Sequence, residues 1–222
     1  AGQRMSIRID RATPSDALPG ILEEGAGGTQ TSHFSVVDLE GNAVAATQSI
    51  NFGYGSGFMP QGTGVLLNNE MDDFSMKPGV PNGYQLLGAE ANAIEPGKRM
   101  LSSMSPSIVA KDGELVAVIG SPGGRTIINT VLQLILNIVD FDHGIQEAVN
   151  APRIHHQWLP GSVRIEQPGA TDEILATLRA MGHEVTTGRG QGRAHSIMVD
   201  PDTGDRLGAA DPRGADSGAS GH

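Results

Sequence analysis

The chain predicts an α+β fold in which β-hairpins lie on either side of two central helices. Three observations carry this. "HFSVVDL" and "AVAATQSI" read as strands and meet at the turn Glu40-Gly41-Asn42. "PSIVA" and "LVAVIG" repeat the arrangement around Asp112-Gly113. "TIINTVLQLILNIVD" is the most apolar segment, and with its lead-in it predicts a helix over roughly residues 125 to 139. Hairpins that precede and follow the helices favour sheets packed against helices over an alternating doubly wound sheet.

The remaining elements follow in order. Residues 1–30, rich in Pro, Gly, Ala and acid, lack periodicity and read as a linker or the end of something else. After the first hairpin comes the glycine-rich loop "NFGYGSGFMPQGTG", then a short apolar strand, "VLLN". "MKPGVPNGYQLLGAEANAIEPGKR" predicts a long loop, and loops of that length in compact domains are usually lids or binding loops. In the helix over 125–139, Asn129, Gln133 and Asn137 interrupt the apolar run, which suits a buried core helix. "HGIQEAVNAP" predicts a short helix stopped by Pro152, and "TDEILATLRAMG" one with an acidic start and a Gly182 stop. "EVTT", "HSIMVD" and "DRLGAA" are short strands, and residues 214–222 a mobile tail.

Composition narrows the chemistry. With 222 residues the chain can bury a full core. A net charge of −10 argues against an extended nucleic-acid surface. No stretch of eighteen apolar residues is present, so no membrane span is expected. The chain has no cysteine, hence no disulfide, thiolate nucleophile or Cys-ligated zinc. Ser, Thr, carboxylates or His must carry any catalysis that uses side chains alone.

Several clusters offer such groups. "GGTQTSHFSVVD" crowds hydroxyls at a strand entrance, either as turn punctuation or because one is a nucleophile. His33 lies too close in sequence to be the obvious base of such a nucleophile. "GSPGGRTIINT" puts glycines between a strand and a helix start, where exposed N–H groups can hold an anion or an oxyanion. A phosphate loop is disfavoured, because no Gly-Lys-Ser/Thr follows. "NNEMDDF" gathers Glu70, Asp72 and Asp73; with no histidine at ligand spacing, an ammonium pocket or a solvated turn fits better than a metal. Ser102 and Ser103 in "RMLSSMSPS" suit a carboxylate or ordinary loop chemistry. Adjacent His155 and His156 point to opposite faces if extended, and packing around Trp158 is the simpler role.

Read together, "QTSHFSVVD", "GNAVA", "LLNNEMDDFS", "PGVPNGY", "LSSMSP", "GSPGG", "NAPRIHHQWLP" and "DPR" resemble, in order, the γ-glutamyltransferases (γ-glutamyltranspeptidases, glutathione hydrolases). The resemblance runs from Thr31 to Arg213. It implies an N-terminal nucleophile hydrolase with a four-layer αββα sandwich, of which this chain holds the small-subunit half. It also implies a precursor that cuts itself at Gln30–Thr31. Thr31 is then the nucleophile, with its own α-amine, of pKa about 7.7–8.0, as the base.

By the same resemblance Ser49 hydrogen-bonds the nucleophile, and Gly123 and Gly124 donate amides to the oxyanion. Asp73 binds the substrate α-ammonium, helped by Asn51 and Glu70. Ser102 and Ser103 contact its α-carboxylate, and Tyr84 gates a lid over roughly 78–93. Ser32 and Ser49 stand where threonine is usual, keeping the hydroxyl and losing a methyl. Residues 1–30 are implied to end the large subunit, 31–213 to form the small catalytic subunit, and 214–222 the tail. The implied partners are the large subunit, glutathione or another γ-glutamyl substrate, and an amino-acid or dipeptide acceptor. No cofactor or metal is implied, and the implied compartment is periplasmic or extracellular. Two alternatives stay open: a glutaryl- or cephalosporin-type amide acylase of the same superfamily, and an unprocessed, non-catalytic protein.

Overall fold

The computed structural model of the protein describes residues 21–22, 29–80, 82, 87–157, 161–215 and 217–221. Its centre is a four-stranded antiparallel sheet in the order β11-β10-β6-β5. These strands are β5 (Ser107–Lys111), β6 (Glu114–Ile119), β10 (His195–Val199) and β11 (Arg206–Ala210). Strand alternation gives the sheet two different faces. Val109, Ala117, Ile119, Met198 and Ala209 meet the helices α1 (Ile127–Val139) and α2 (Ile145–Asn150), forming the main core with Ile127, Val131, Leu134, Ile138, Ala148 and Val149. The opposite face carries Val118, His195 and Ile197.

Against that second face lies the hairpin of β2 (Thr29–Val37) and β3 (Ala43–Phe52), a separate two-stranded sheet. The Ser35 hydroxyl is 2.8 Å from the His195 carbonyl and 3.3 Å from that of Val118. The His33 ring lies against Gly120, where an added Cβ would stand 2.1 Å from the imidazole. The described residues therefore stack as helices, sheet and hairpin. The hairpin turns Thr31, His33 and Ser35 inward, while Phe34, Val36 and Val44 stay exposed on its outer face.

A third sheet, β7-β8-β9, joins β7 (Ile154–His155), β8 (Ser162–Glu166) and β9 (Glu184–Gly188), with β8 and β9 parallel. The helix α3 (Asp172–Ala180) connects β8 to β9, and the Thr171 side chain caps it through the Ile174 amide. β8 is absent from the sequence expectation, because "SVRIE" carries an arginine and a glutamate at buried or half-buried positions. Both charges are consumed inside the molecule.

Two expectations change. "VLLN" forms no strand: Leu67 bonds back onto the glycine-rich loop, with N–H to the Phe58 carbonyl at 3.0 Å and its own carbonyl accepting from the Ser56 amide at 2.9 Å. Gly55 permits this closure, since a Cβ there would fall 2.2 Å from the Leu67 oxygen. The long loop is not structureless either. It holds β4 (Leu87–Gly88), paired with β1 (Ile21–Leu22), and a 3-10 turn at Glu90–Asn92. Tyr84, Trp158, residues 1–20 and residues 23–28 lie outside the described residues. Within the tail, the Ser217 hydroxyl contacts His195 Nε2 at 3.1 Å.

Candidate active site

Strand register makes the first contact. Thr31 lies opposite Ser49 in the β2–β3 ladder, and residues directly opposite share a face. Their hydroxyl oxygens are 3.0 Å apart, with Thr31 buried. The register slips between Thr29 and Thr31, so that Ile50 and Asn51 oppose Gln30 alone. This is a β-bulge at the Gln30–Thr31 bond, and bulges commonly re-aim side chains beside active sites. Asn51 supplies the left-handed residue (φ 70°), a conformation asparagine tolerates better than most residues. Its amide donates to Ser49 Oγ at 2.8 Å, fixing that hydroxyl toward Thr31.

The bulge also holds the acidic turn. Asn69 is bonded to it three times: its amide to the Ile50 carbonyl, its Oδ1 from the Phe52 amide, and its carbonyl from Asn51 Nδ2. The 3-10 turn Glu70–Asp73 begins at the next residue, so Asn51 and the acids are brought to one place. Burial, and then the Glu70 carboxylate with which it shares a hydrogen bond, push the Asp73 pKa up to about 7. Glu70 Oε1 is buried without a hydrogen-bond partner among the described residues. Carboxyl groups gathered in this way suit a cationic group. Among the described residues no group of acids and histidines has the makings of a metal site.

Ser102 and Ser103 reach this region through Asn92. Its Nδ2 donates to the Asp73 carbonyl at 2.7 Å, and its Oδ1 accepts from the Leu101 amide at 3.0 Å. Ser102 is exposed, its Oγ accepting from the Met104 amide. The Ser103 hydroxyl proton goes to the Gly124 carbonyl at 3.2 Å, which ties the serine segment to the glycine turn. Gly123 (φ 147°) and Gly124 (φ 55°) form that turn at the end of β6, immediately before the helical residues Gly124–Thr126 and α1. Both conformations favour glycine. The turn is joined to β2 through Gly120, on which His33 packs.

His33 is not aimed at Thr31. Its Nδ1 is 2.7 Å from Thr47 Oγ1 and its Nε2 3.1 Å from Ser35 Oγ. Burial and the neighbouring His195 lower its pKa to about 4, leaving a neutral structural ring. Among the described groups of this strand, Thr31 has a hydroxyl neighbour rather than a side-chain base.

Sequence reasoning anticipated Asn51 but not the tethering role of Asn69, nor a buried charge cluster behind the glycine turn. Asn68-Asn69 directly before three acids was the available signal for the former. In the cluster, Arg153 Nη2 donates to Asp211 Oδ2 at 2.8 Å, while Arg213 bonds both Asp211 Oδ1 and the Glu166 carboxylate. Burial alone would raise both acids, but the Arg213 hydrogen bond on Glu166 and the Arg153 charge beside Asp211, with backbone amides, hold both below their usual pKa. The signal for it was two arginines, in "APR" and "DPR", bracketing the last strands.

The sequence model of the family described as gamma-glutamyltranspeptidase matches residues 3–221. The glutathione hydrolase proenzyme of Escherichia coli is 50% identical over 217 residues, which is 97% of this chain and 37% of that protein. The chain therefore spans under two-fifths of the length of this curated relative. A Helicobacter pylori gamma-glutamyltranspeptidase crystal structure superposes with a TM-score of 0.78 at 51% identity, covering 82% of this chain and 99% of that one. A cephalosporin acylase from Bacillus halodurans is similar at a TM-score of 0.70 and 28% identity, covering 85% of this chain and 34% of the other.

Proposed function

Because this chain belongs to the gamma-glutamyltranspeptidase family, we propose that it is the catalytic small-subunit region of a glutathione hydrolase, acting on γ-glutamyl amides through a threonine ester. The observation that carries the reading is the buried Thr31–Ser49 hydroxyl pair at a β-bulge, stapled by Asn69 to the Glu70–Asp73 turn, in which the Asp73 pKa is raised. A γ-glutamyl group carries an α-ammonium, which the carboxyl groups of this turn suit.

Self-cleavage at Gln30–Thr31 converts the Thr31 amide nitrogen into an α-amine. That amine takes the hydroxyl proton as Thr31 Oγ1 attacks the γ-carbonyl carbon. The carbonyl oxygen becomes an oxyanion held by the Gly123 and Gly124 amides. Collapse forms the γ-glutamyl ester and breaks the C–N bond, and the amine returns its proton to the leaving nitrogen. Water then gives glutamate, or an amino group of an amino acid or dipeptide accepts the acyl group. Asp73, with Glu70 and Asn51, anchors the α-ammonium, and Ser102 with Ser103 faces the α-carboxylate. Tyr84 gates the lid.

The outer face of the hairpin, with Phe34, Val36 and Val44 exposed, supports a fourth layer and hence the αββα sandwich of an N-terminal nucleophile hydrolase. The large subunit supplies that layer. Residues 1–30 end it, 31–213 form the small subunit, and 214–222 its tail. The family resemblance supports a periplasmic or extracellular compartment for the mature protein.

Producing the full-length precursor tests the reading. A small subunit beginning at Thr31 is expected, together with hydrolysis of a γ-glutamyl anilide that Thr31→Ala abolishes. A precursor that stays whole would overturn it. So would cleavage of glutaryl but not γ-glutamyl amides, which is the acylase outcome.

A further inference from the structure

Peptide planarity couples each oxyanion donor to the carbonyl behind it, because a C=O and the next N–H point in opposite directions across one rigid plane. The Gly124 amide belongs to the plane of the Gly123 carbonyl, which accepts from the Thr126 amide at 3.1 Å and from Thr126 Oγ1 at 2.9 Å. The Gly123 amide belongs to the plane of the Pro122 carbonyl. That carbonyl accepts from Ser121 Oγ at 2.6 Å. Ser121 is fully buried, and its oxygen in turn accepts from the Arg193 amide at 2.9 Å.

The Arg193 amide belongs to a loop held on both sides. The Gln191 amide donates to Glu166 Oε1 at 2.7 Å, and its carbonyl accepts from Arg153 Nη1 at 2.8 Å. The Ala194 amide donates to Asp211 Oδ2 at 2.7 Å. Between them sits Gly192, with φ 67°. A Cβ there would lie 2.7 Å from Ser121 Oγ and 2.8 Å from Thr130 Oγ1. A Cβ on Gly123 would stand 3.2 Å from the Gly192 Cα. Two backbones thus meet with no side chain between them.

We propose that Ser121 and Gly192 are positioning residues for the oxyanion site: the Gly192 loop presents the Arg193 amide to Ser121, and Ser121 sets the Pro122–Gly123 peptide so that its N–H faces the reacting carbonyl. This rests on the proposed γ-glutamyl transfer at Thr31. Neither residue touches substrate. Their effect is on charge that develops only in the transition state, so kcat changes and ground-state binding does not.

The test uses full-length, self-cleaved enzyme, with rates expressed per titrated Thr31 site. Losing an oxyanion donor costs about 100- to 1,000-fold, and misaiming one is expected to cost about 10- to 100-fold in kcat for Ser121→Ala, with KM within about twofold. A boronic acid analogue of the γ-glutamyl group, which forms a tetrahedral adduct, should lose affinity in step with kcat. Glutamate, a planar competitor, should keep its Ki. Gly192→Ala should behave alike and more severely. If that variant does not mature, Ser121→Ala still decides, and co-producing the two subunits as separate chains supplies either variant in cleaved form. An unchanged kcat in Ser121→Ala overturns the proposal, as does an equal loss of boronate and glutamate affinity. Failure of the parent enzyme to hydrolyse γ-glutamyl amides would instead strike the functional reading, and the variants would then be compared on the amide the parent does cleave.

Discussion

At Asp73 a single carboxyl shows how position changes chemistry. Exposed, it would be ionised well below neutrality, but burial and Glu70 raise its pKa to about 7. A carboxyl with a raised pKa is protonated below that value, and an ammonium ligand needs the ionised form. Binding should therefore tighten as pH rises through 7. The competitive Ki of glutamate on the mature enzyme is expected to fall by about tenfold between pH 6 and pH 8, as a carboxyl with pKa about 7 goes from roughly a tenth to roughly nine-tenths ionised. In Asp73→Asn the Ki should be weak and nearly flat over that range; a flat profile in the parent would refute the pair's role. Glu70, Asp73 and the glycine pair stand out along the chain by residue type, whereas only the family resemblance picks Thr31 from the hydroxyls around it. Ser49 does not stand out, because a lone serine inside a strand has nothing local to mark it. Only its place opposite Thr31 does.

Among the elements, the strands and helices expected from pattern are largely those observed, since hairpin turns and helix stops are local chemistry. The α1 polar residues carry a different lesson. Asn129, Gln133 and Asn137 are not a solvent face: Gln133 bonds both backbone groups of Ile154, and Asn137 donates to the Ala148 carbonyl. Gln133 and Asn137 clamp β7 and α2, while Ile128, Leu132, Leu136 and Val139 face out. On the inner face Leu134 is fully buried, and Leu134→Ala should cost about 2–5 kcal/mol. The missed strand β8 belongs with the charge cluster that Arg153 and Arg213 form with Glu166 and Asp211. Removing Asp211 leaves Arg153 buried without its carboxylate, so Asp211→Ala should cost about 3–5 kcal/mol in urea unfolding. An unfolding midpoint near the parent's would show that the cluster contributes little beyond specificity.

For the molecule as a whole, two apolar faces lie bare. One is the outer stripe of α1 and the other the outer face of the hairpin, and the proposed function has the rest of the precursor cover both. No helix among the described residues is long and apolar enough to cross a membrane. Leu132→Lys in the full-length precursor should lower the yield of subunit-associated enzyme on gel filtration. In a chain of residues 31–222 alone, the same change should reduce self-association measured by light scattering. If neither quantity moves, α1 is not part of the interface.

Local chemistry along the chain is enough to mark a crowd of hydroxyls at a strand entrance, three acids after two asparagines, and a glycine pair before a helix; the family resemblance then picks Thr31. Local chemistry also sets the hairpins and helices, because turn residues and apolar periodicity act over a few positions. The tertiary structure decides what these pieces do together. Register puts Ser49 against Thr31, and a bulge carries Asn51 and the acidic turn beside them. A loop some seventy residues downstream in sequence presses its backbone on the glycine turn. Such pairings join residues far apart in the chain, so no local pattern encodes them; they follow from which faces pack and which buried polar groups must find partners.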